Sequence, residues 1–252
     1  MGTLALIVAG AAVAGFVQGL SGFGFAMVAM SFWAWGLAPK TAAVLAVFGG
    51  LSGQVFAALT VRRGFDWKLL LPFLVGGLLG IPLGLWLLPR FEPAVFRAFV
   101  GALLVIWCPA MLLAGRLPRI RFRHPALQRG ADGLAGVAGG MMGPLGGFTG
   151  ALPTLWCTLR SLPKEQQRAV IQNFNLATLA VTFASYLAAG AVDRAMWPQL
   201  AAVLPALLLP AWLGTRVYVG ISDATFRTIV LGLLTASGLA LLAAALPRLL
   251  GT

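Results

Sequence analysis

Two glycine clusters contain the residues of this chain that could bind a ligand without a charged side chain. The first reads QGLSGFGF (Gln18–Phe25) and the second reads GGMMGPLGGFTG (Gly139–Gly150). Glycine tolerates backbone dihedrals that interrupt a helix, and Pro144 removes a donor and stops a continuous helix. A helix that restarts after such a break leaves N–H groups free at the positive end of its dipole. The clusters therefore predict anion binding by backbone amides.

A few polar and aromatic side chains accompany the two breaks. Asn173 and Asn175 are two residues apart in QNFN, so they do not share a helix face and at most one should face the site. Buried amides need hydrogen-bond partners, so bonding between helices stays an alternative role for them. Phe23 and Phe148 either shape a pocket for an organic tail, act as gates, or pack in the core or against lipid. The predicted binding residues are Gln18, Ser21, Gly22, Phe23, Gly24, Gly143, Pro144, Gly146, Gly147, Phe148, Thr149, Asn173 and Asn175.

Each break lies inside a long run without charged residues. These runs extend from Thr3 to Pro39 and from Gly133 to Leu159, in a chain of 252 residues that is 60% hydrophobic and 10% charged. A soluble domain is about 25% charged, and a membrane-spanning helix needs about 20 apolar residues. The sequence therefore predicts an all-α integral membrane protein. Further charge-free runs of about spanning length are Thr41–Val61, Leu69–Pro89, Ala98–Gly115, Ala169–Val192, Ala195–Thr215 and Thr228–Pro247.

The net charge of +12 comes from basic residues that lie between the apolar runs. This distribution is typical of cytoplasmic loops of membrane proteins and does not indicate nucleic-acid binding. The basic residues also predict contact with membrane lipid headgroups. The expected organisation is a first transmembrane repeat at residues 1–115, a basic cytoplasmic linker at 116–131 and a second transmembrane repeat at 132–252.

The two halves contain matching residues in the same order, which indicates an internal duplication. Trp67 matches Trp197 and Gly84 matches Gly214, at the same separation along the chain. Duplicated halves with interrupted helices at matching places are typical of secondary transporters, whose binding site lies where the helices break.

The basic residues indicate how the halves are oriented. If each opening run is a broken or hairpin segment followed by three transmembrane helices, the halves are inverted and both termini lie outside. A continuous helix from Thr3 to Pro39 would be about 55 Å long, which exceeds a hydrocarbon core of about 30 Å. The inverted arrangement also gathers most of the 18 basic residues on one face, as the positive-inside rule requires. The basic residues of that face are Arg62, Arg63, Lys68, Arg116, Arg119, Arg121, Arg123, Arg129, Arg160, Lys164, Arg168, Arg216 and Arg227.

Groups for acid–base or metal chemistry are scarce. The single histidine, His124, lies in the basic linker, and Cys108 and Cys157 lie in apolar runs. The acidic residues, which we expect at or beside loops, are Asp66, Glu92, Asp132, Glu165, Asp193 and Asp223. The sequence thus predicts no enzyme, no catalytic residue, no metal site and no cofactor.

Three segments resemble the TauE/SafE sulfite exporter family, also called the toluene-sulfonate uptake permease family. They are FVQGLSGFGFAMVAM (Phe16–Met30), GLAGVAGGMMGPLGGFTGALP (Gly133–Pro153) and WLGTRV (Trp212–Val217). The resemblance covers nearly the entire chain, including its length and its duplication. It implies transport of a small sulfur-containing anion such as sulfite, a sulfonate or sulfoacetate.

The sequence therefore predicts a multi-pass permease of the inner (plasma) membrane that binds its anion at the paired breaks near the midplane. A passive anion channel and a membrane assembly partner that transports nothing remain alternatives. The oligomeric state stays open, a homodimer included.

Overall fold

The computed structural model is all-helical and describes residues 2–21, 24–60, 64–116, 119–120, 122, 124–216 and 222–250. Within these residues the chain forms ten α-helices, three short 3-10 turns and no β-strand. The helices are Thr3–Ser21 (α1), Phe25–Trp33 (α2), Pro39–Thr60 (α3), Trp67–Leu87 (α4), Pro93–Leu112 (α5), Pro125–Met142 (α6), Ala151–Leu159 (α7), Lys164–Ala188 (α8), Trp197–Arg216 (α9) and Asp223–Leu250 (α10).

Six of these helices are long and apolar enough to cross a membrane, namely α1, α3, α4, α5, α9 and α10. This confirms the predicted integral membrane protein. Helix α8, which we also expected to span, has 25 residues but carries charged and amide residues along its first turns. At 1.5 Å per residue it is still about 37 Å long, which is enough to cross the hydrocarbon core. Helix α6 begins at Pro125, inside the segment expected to be a linker.

Each opening run of the sequence folds back on itself as a hairpin. In the first run, the indole Nε1 of Trp33 at the end of α2 donates to the backbone oxygen of Ile7 near the start of α1. In the second run, Arg160 directly follows α7 and lies 2.6 Å from Asp132 of α6. A short helix thus returns beside a long one in both runs, and the glycine breaks form the two bends.

Small residues let the long helices of one half pack directly on the opening hairpin of the other half. Gly19 of α1 lies so close to α9 that an added Cβ would be 2.1 Å from the Ala211 oxygen. Gly80 of α4 lies equally close to α6, where an added Cβ would be 2.1 Å from the Val137 oxygen. Gly84 and Gly214, which match in the sequence, make equivalent contacts to α6 and α1. The α4 glycines therefore allow close helix packing.

Two further contacts join corresponding helices of the halves. On α3 and α8, Phe48 lies against Phe183 and Gly50 against Leu179, so these helices run in opposite directions. On α5 and α10, glycines approach each other closely, since a Cβ on Gly101 would be 2.8 Å from the Gly238 oxygen. The main hydrophobic core lies between these pairs and contains α2 and the second bend. The fold therefore encloses the second bend and α2 rather than leaving them against lipid.

Candidate functional site

The first bend ends at Gly24, which begins α2 in a left-handed conformation with φ of 90°. No side chain caps α2, and a Cβ added to Gly24 would meet nothing within 4 Å. Among the described residues, there is thus room for a methyl group at Gly24. Of the other predicted residues here, Gly22, Phe23 and the side chain of Ser21 lie outside the described residues.

The second bend is shaped by two glycines with positive φ. Gly146 has φ of 149° and Gly147 has φ of 75°, which L side chains rarely adopt. An added Cβ at Gly147 would be 3.3 Å from Ala26 Cβ and 3.2 Å from the Ala46 oxygen, so the bend packs on α2 and α3 of the other half. The second bend therefore lies deep in the core, against the short helix of the first hairpin.

Three predicted residues of the second bend hold its shape. The carbonyl oxygen of Pro144 accepts a hydrogen bond from the Tyr186 hydroxyl of α8. The backbone N–H of Gly143 donates to Gly139, which continues α6 to the bend. The Phe148 ring is buried and lies 6.3 Å from the Phe99 ring of α5. This packing favours the core role for Phe148 among the roles that the sequence left open.

The structure separates the two asparagines. Thr149 is 1% exposed, and its hydroxyl donates to Asn175 Oδ1 at 2.8 Å. Asn175 also lies on Gly150, where an added Cβ would be 2.8 Å from its Nδ2. Asn173 instead donates from Nδ2 to the carbonyl oxygens of Gly64 and Ala169. Only Asn175 therefore accompanies the second bend.

Two buried polar atoms beside the bends have no hydrogen-bond partner among the described residues. One is Oε1 of Gln18, which packs on Gly53 of α3, and the other is Oγ1 of Thr182 on α8. Thr182 Oγ1 would lie 3.2 Å from a Cβ at Gly143, directly at the second bend. An unsatisfied buried polar group costs about 1–3 kcal/mol, so both positions favour an additional polar occupant.

The position of Gln18 along the bundle matches that of Asn175. Helices α3 and α8 run in opposite directions and meet where Gly50 faces Leu179. Gly53, which contacts the Gln18 side chain, lies one turn after Gly50 along α3. Asn175 lies one turn before Leu179 along α8. Gln18 and Asn175 therefore lie at about the same level of the bundle. Gln18 belongs to the first hairpin, and Asn175 lies beside the second.

The starts of the two short helices differ in their backbone donors. Among the described residues, no side chain caps the first turn of α2. In α7, the N–H of Ala151 already donates to the Phe148 oxygen, and Pro153 has no N–H. The start of α7 therefore lacks two backbone donors, whereas side-chain groups lie beside it.

Comparison with known proteins identifies the family. The sequence model of the sulfite exporter TauE/SafE family matches residues 7–241.

The chain belongs to the TauE/SafE family.

A relative from Cupriavidus necator, named "Probable sulfite/organosulfonate exporter TauE", is 27% identical over 250 residues, which cover 96% of this chain and 93% of the relative. No solved structure matches the chain. Membership of the TauE/SafE family makes this protein a multi-pass membrane exporter for a small anion and not an enzyme.

The burial of Asp132 in this TauE/SafE chain differs from what the sequence predicted. Asp132, which we expected at or beside a loop, is inside α6 and 2% exposed. Both its oxygens accept from Arg160 Nη1, at 2.7 and 2.6 Å, and Oδ1 also accepts from the indole of Trp156. The expectation was wrong because it assumed that a charged residue at the end of an apolar run lies at or beside a loop. Asp132 directly precedes the charge-free run and Arg160 directly follows it, and a hairpin brings the two ends of such a run together.

Proposed function

We propose that this protein is a secondary transporter that exports a small sulfur-containing oxyanion, such as sulfite, a sulfonate or sulfoacetate, across the plasma membrane. The observation that carries the proposal is the pair of hairpins, each with a short returning helix that has no side-chain cap, with α2 and the second bend enclosed in the core. Irregular backbone at membrane depth is tolerated only where it is buried in protein or lines a cavity. Paired bends of this kind are where transporters bind substrate.

The anion binds between the two bends in a site that uses different donors on its two sides. The amides at the start of α2 hold the oxyanion from the first bend, together with residues 18 and 21–24. On the opposite side Asn175 supplies the N–H donors of its Nδ2, and Thr149 holds that amide in place by donating to Oδ1. Gly143 and Thr182 lie next to them. The Thr182 hydroxyl, which can donate to an oxyanion and has no partner among the described residues, supports this location. Gly146, Gly147 and Pro144 position the second bend.

The two halves are inverted repeats, and the substrate is released by movement of one half against the other. This arrangement is supported by the directions of the helices, because α3 and α8 occupy corresponding places and run oppositely. It is also supported by reciprocal packing, because the long helix of each hairpin packs on a helix of the other half: α1 on α9 and α6 on α4. With the basic loops inside, both termini lie outside, in agreement with the positive-inside rule.

Transport in a purified system tests the proposal. Protein in liposomes loaded with labelled sulfite or sulfoacetate should release the label with saturable kinetics and should exchange it for unlabelled anion outside. Protein-free liposomes and liposomes loaded with a labelled cation are the controls. Folded protein that moves none of a broad panel of sulfur oxyanions would exclude the proposed function, and flux without saturation or exchange would indicate a channel.

A further inference from the structure

A charged cavity lies at the foot of the second hairpin, away from the bends. Its volume is about 330 Å³, and its lining comes from the starts of α4 and α6 and from the connection between α7 and α8. Lys68, Arg129 and Arg160 are the basic residues of the lining, and Asp66 and Asp132 are the acidic ones. These helix ends all lie on the basic face of the molecule. The cavity is therefore a polar recess at the face proposed to be cytoplasmic.

The acidic side chains of the cavity are already bonded within the protein. Asp66 Oδ1 accepts from the N–H of Leu69 and caps α4. Asp132 accepts three hydrogen bonds, two from Arg160 and one from Trp156. Lys68 and Arg129 are exposed on the rim. Three basic and two acidic side chains leave the lining with an excess of one positive charge, and the exposed charges on the rim, Lys68 and Arg129, are basic.

Arg160 supplies a buried donor. Its side chain is 8% exposed, and only Nη1 donates hydrogen bonds to residues that the structure describes. A guanidinium has five N–H donors in a fixed plane, so Nε and Nη2 can bind an oxyanion while Nη1 stays on Asp132. Asp132 and Trp156 then hold the guanidinium in one orientation. This geometry differs from that of a surface arginine, whose side chain must be ordered when a ligand binds.

We propose that this cavity is a second anion site, which captures the sulfur oxyanion from the basic face before it reaches the bends. The inference rests on the proposed function, because the same anion occupies both sites in turn. Arg160 binds the oxyanion with Nε and Nη2, which bond to none of the residues that the structure describes, and Lys68 and Arg129 attract it to the cavity. About 11 residues of α6 separate Asp132 from the bend at Gly143, which corresponds to about 16 Å along the helix. The two sites are therefore distinct, and the hairpin connects them.

Kinetics measured from each face test this assignment. The double variant Lys68→Gln/Arg129→Gln removes both exposed charges and leaves the Asp132–Arg160 pair intact. In inverted membrane vesicles, where the basic face is outside, its KM for labelled sulfoacetate should rise about tenfold with its maximal rate within twofold of the wild type. From the opposite face, in right-side-out vesicles, KM should not change. The control variant Lys164→Gln removes a basic residue of the same face that does not line the cavity, and its KM should be that of the wild type.

A binding measurement makes the result independent of transport. Ethanesulfonate should raise the melting temperature of the detergent-solubilised protein, and the Lys68→Gln/Arg129→Gln variant should need about ten times more ligand for the same rise. The same titration with short-chain phosphatidylglycerol distinguishes a lipid headgroup from a free anion.

Two outcomes overturn the capture site. One is an unchanged KM in the double variant although the wild type transports the anion. The other is a stabilisation by phosphatidylglycerol alone that the double variant loses, which would make the cavity a lipid site. A wild type that binds ethanesulfonate through Lys68 and Arg129 but transports no sulfur oxyanion would exclude the proposed function and leave the anion site intact.

Discussion

At the scale of single residues, the candidate site depends on which amide faces the second bend. Asn175 accepts from Thr149 and lies on Gly150, whereas Asn173 bonds to the backbone of Gly64 and Ala169. Both residues belong to α8 and are similar in sequence context. The two residues can therefore be compared directly, because the same substitution places a negative charge at the site in one case and away from it in the other.

The substitution Asn175→Asp should reduce kcat/KM for the anion at least tenfold. The new carboxylate has nearly the shape of the amide, so Thr149 can still donate to it, but it repels an oxyanion. The measurement is export of labelled sulfoacetate from liposomes at pH 8, where a carboxylate is ionised. The matched variant Asn173→Asp should lose less than threefold. Equal activity of Asn175→Asp and wild type would remove Asn175 from the site.

At the scale of the elements, glycines decide how closely the hairpins approach the helices of the other half. Gly140 of α6 faces α4, where an added Cβ would be 2.0 Å from the Gly77 oxygen. The neighbour is backbone and cannot rotate away. Gly130 of the same helix has nothing within 4 Å of an added Cβ. Gly140 is therefore required by packing, whereas Gly130 of the same helix is not.

The substitution Gly140→Ala should destabilise the protein by about 1–3 kcal/mol, because the helices must separate to admit the methyl group. Gly130→Ala should leave the stability unchanged or raise it by up to about 1 kcal/mol, because alanine favours helix. The measurement is the melting temperature of each purified variant in the same detergent. A Gly140→Ala variant as stable as Gly130→Ala would show that the contact between α4 and α6 is looser than the structure describes.

The buried ion pair acts at the same scale, because it fastens the end of α7 to α6. Taking two charges out of water is costly, and their attraction offsets that cost only with good geometry and further hydrogen bonds. Asp132 has these bonds, from Arg160 and Trp156. Such a pair is weak evidence for stability, but it sets the position of the hairpin foot and of the Arg160 donors.

At the scale of the whole molecule, the proposed inverted arrangement fixes the side of the membrane on which each loop lies. Helix α8 is the critical element, since it falls outside the six apolar spans yet is about 37 Å long. If α8 crosses, its two ends lie on opposite sides and Lys164, the basic residue of its first turn, is cytoplasmic. If it does not cross, the halves cannot be inverted.

Cysteines at the two ends of α8 test this topology. In a variant without Cys108 and Cys157, an impermeant thiol reagent should label Ala189→Cys in intact cells. It should label Glu165→Cys only after the membrane is broken. Both positions are exposed, so access rather than burial decides the result. Labelling of both cysteines in intact cells would contradict the proposed inverted arrangement.

The sequence by itself determined the class of the protein and the positions of its breaks. Charge-free runs require a membrane because a soluble protein could not keep so many apolar residues from water. Glycine and proline mark the breaks because few other residues permit the dihedrals that Gly146 and Gly147 adopt. The matching residues and glycine motifs also sufficed to indicate the family.

Only the tertiary structure decided which residues meet at the breaks. The packing of Gln18 on Gly53 and the contact of Thr182 with the second bend join segments that are far apart in the chain. A local pattern does not contain such contacts, since they depend on how α1, α3 and α8 pack together. For the same reason Asp132 read as a loop residue, although the hairpin buries it against Arg160. Periodicity and composition act within one segment, whereas a site is made by the distances between segments.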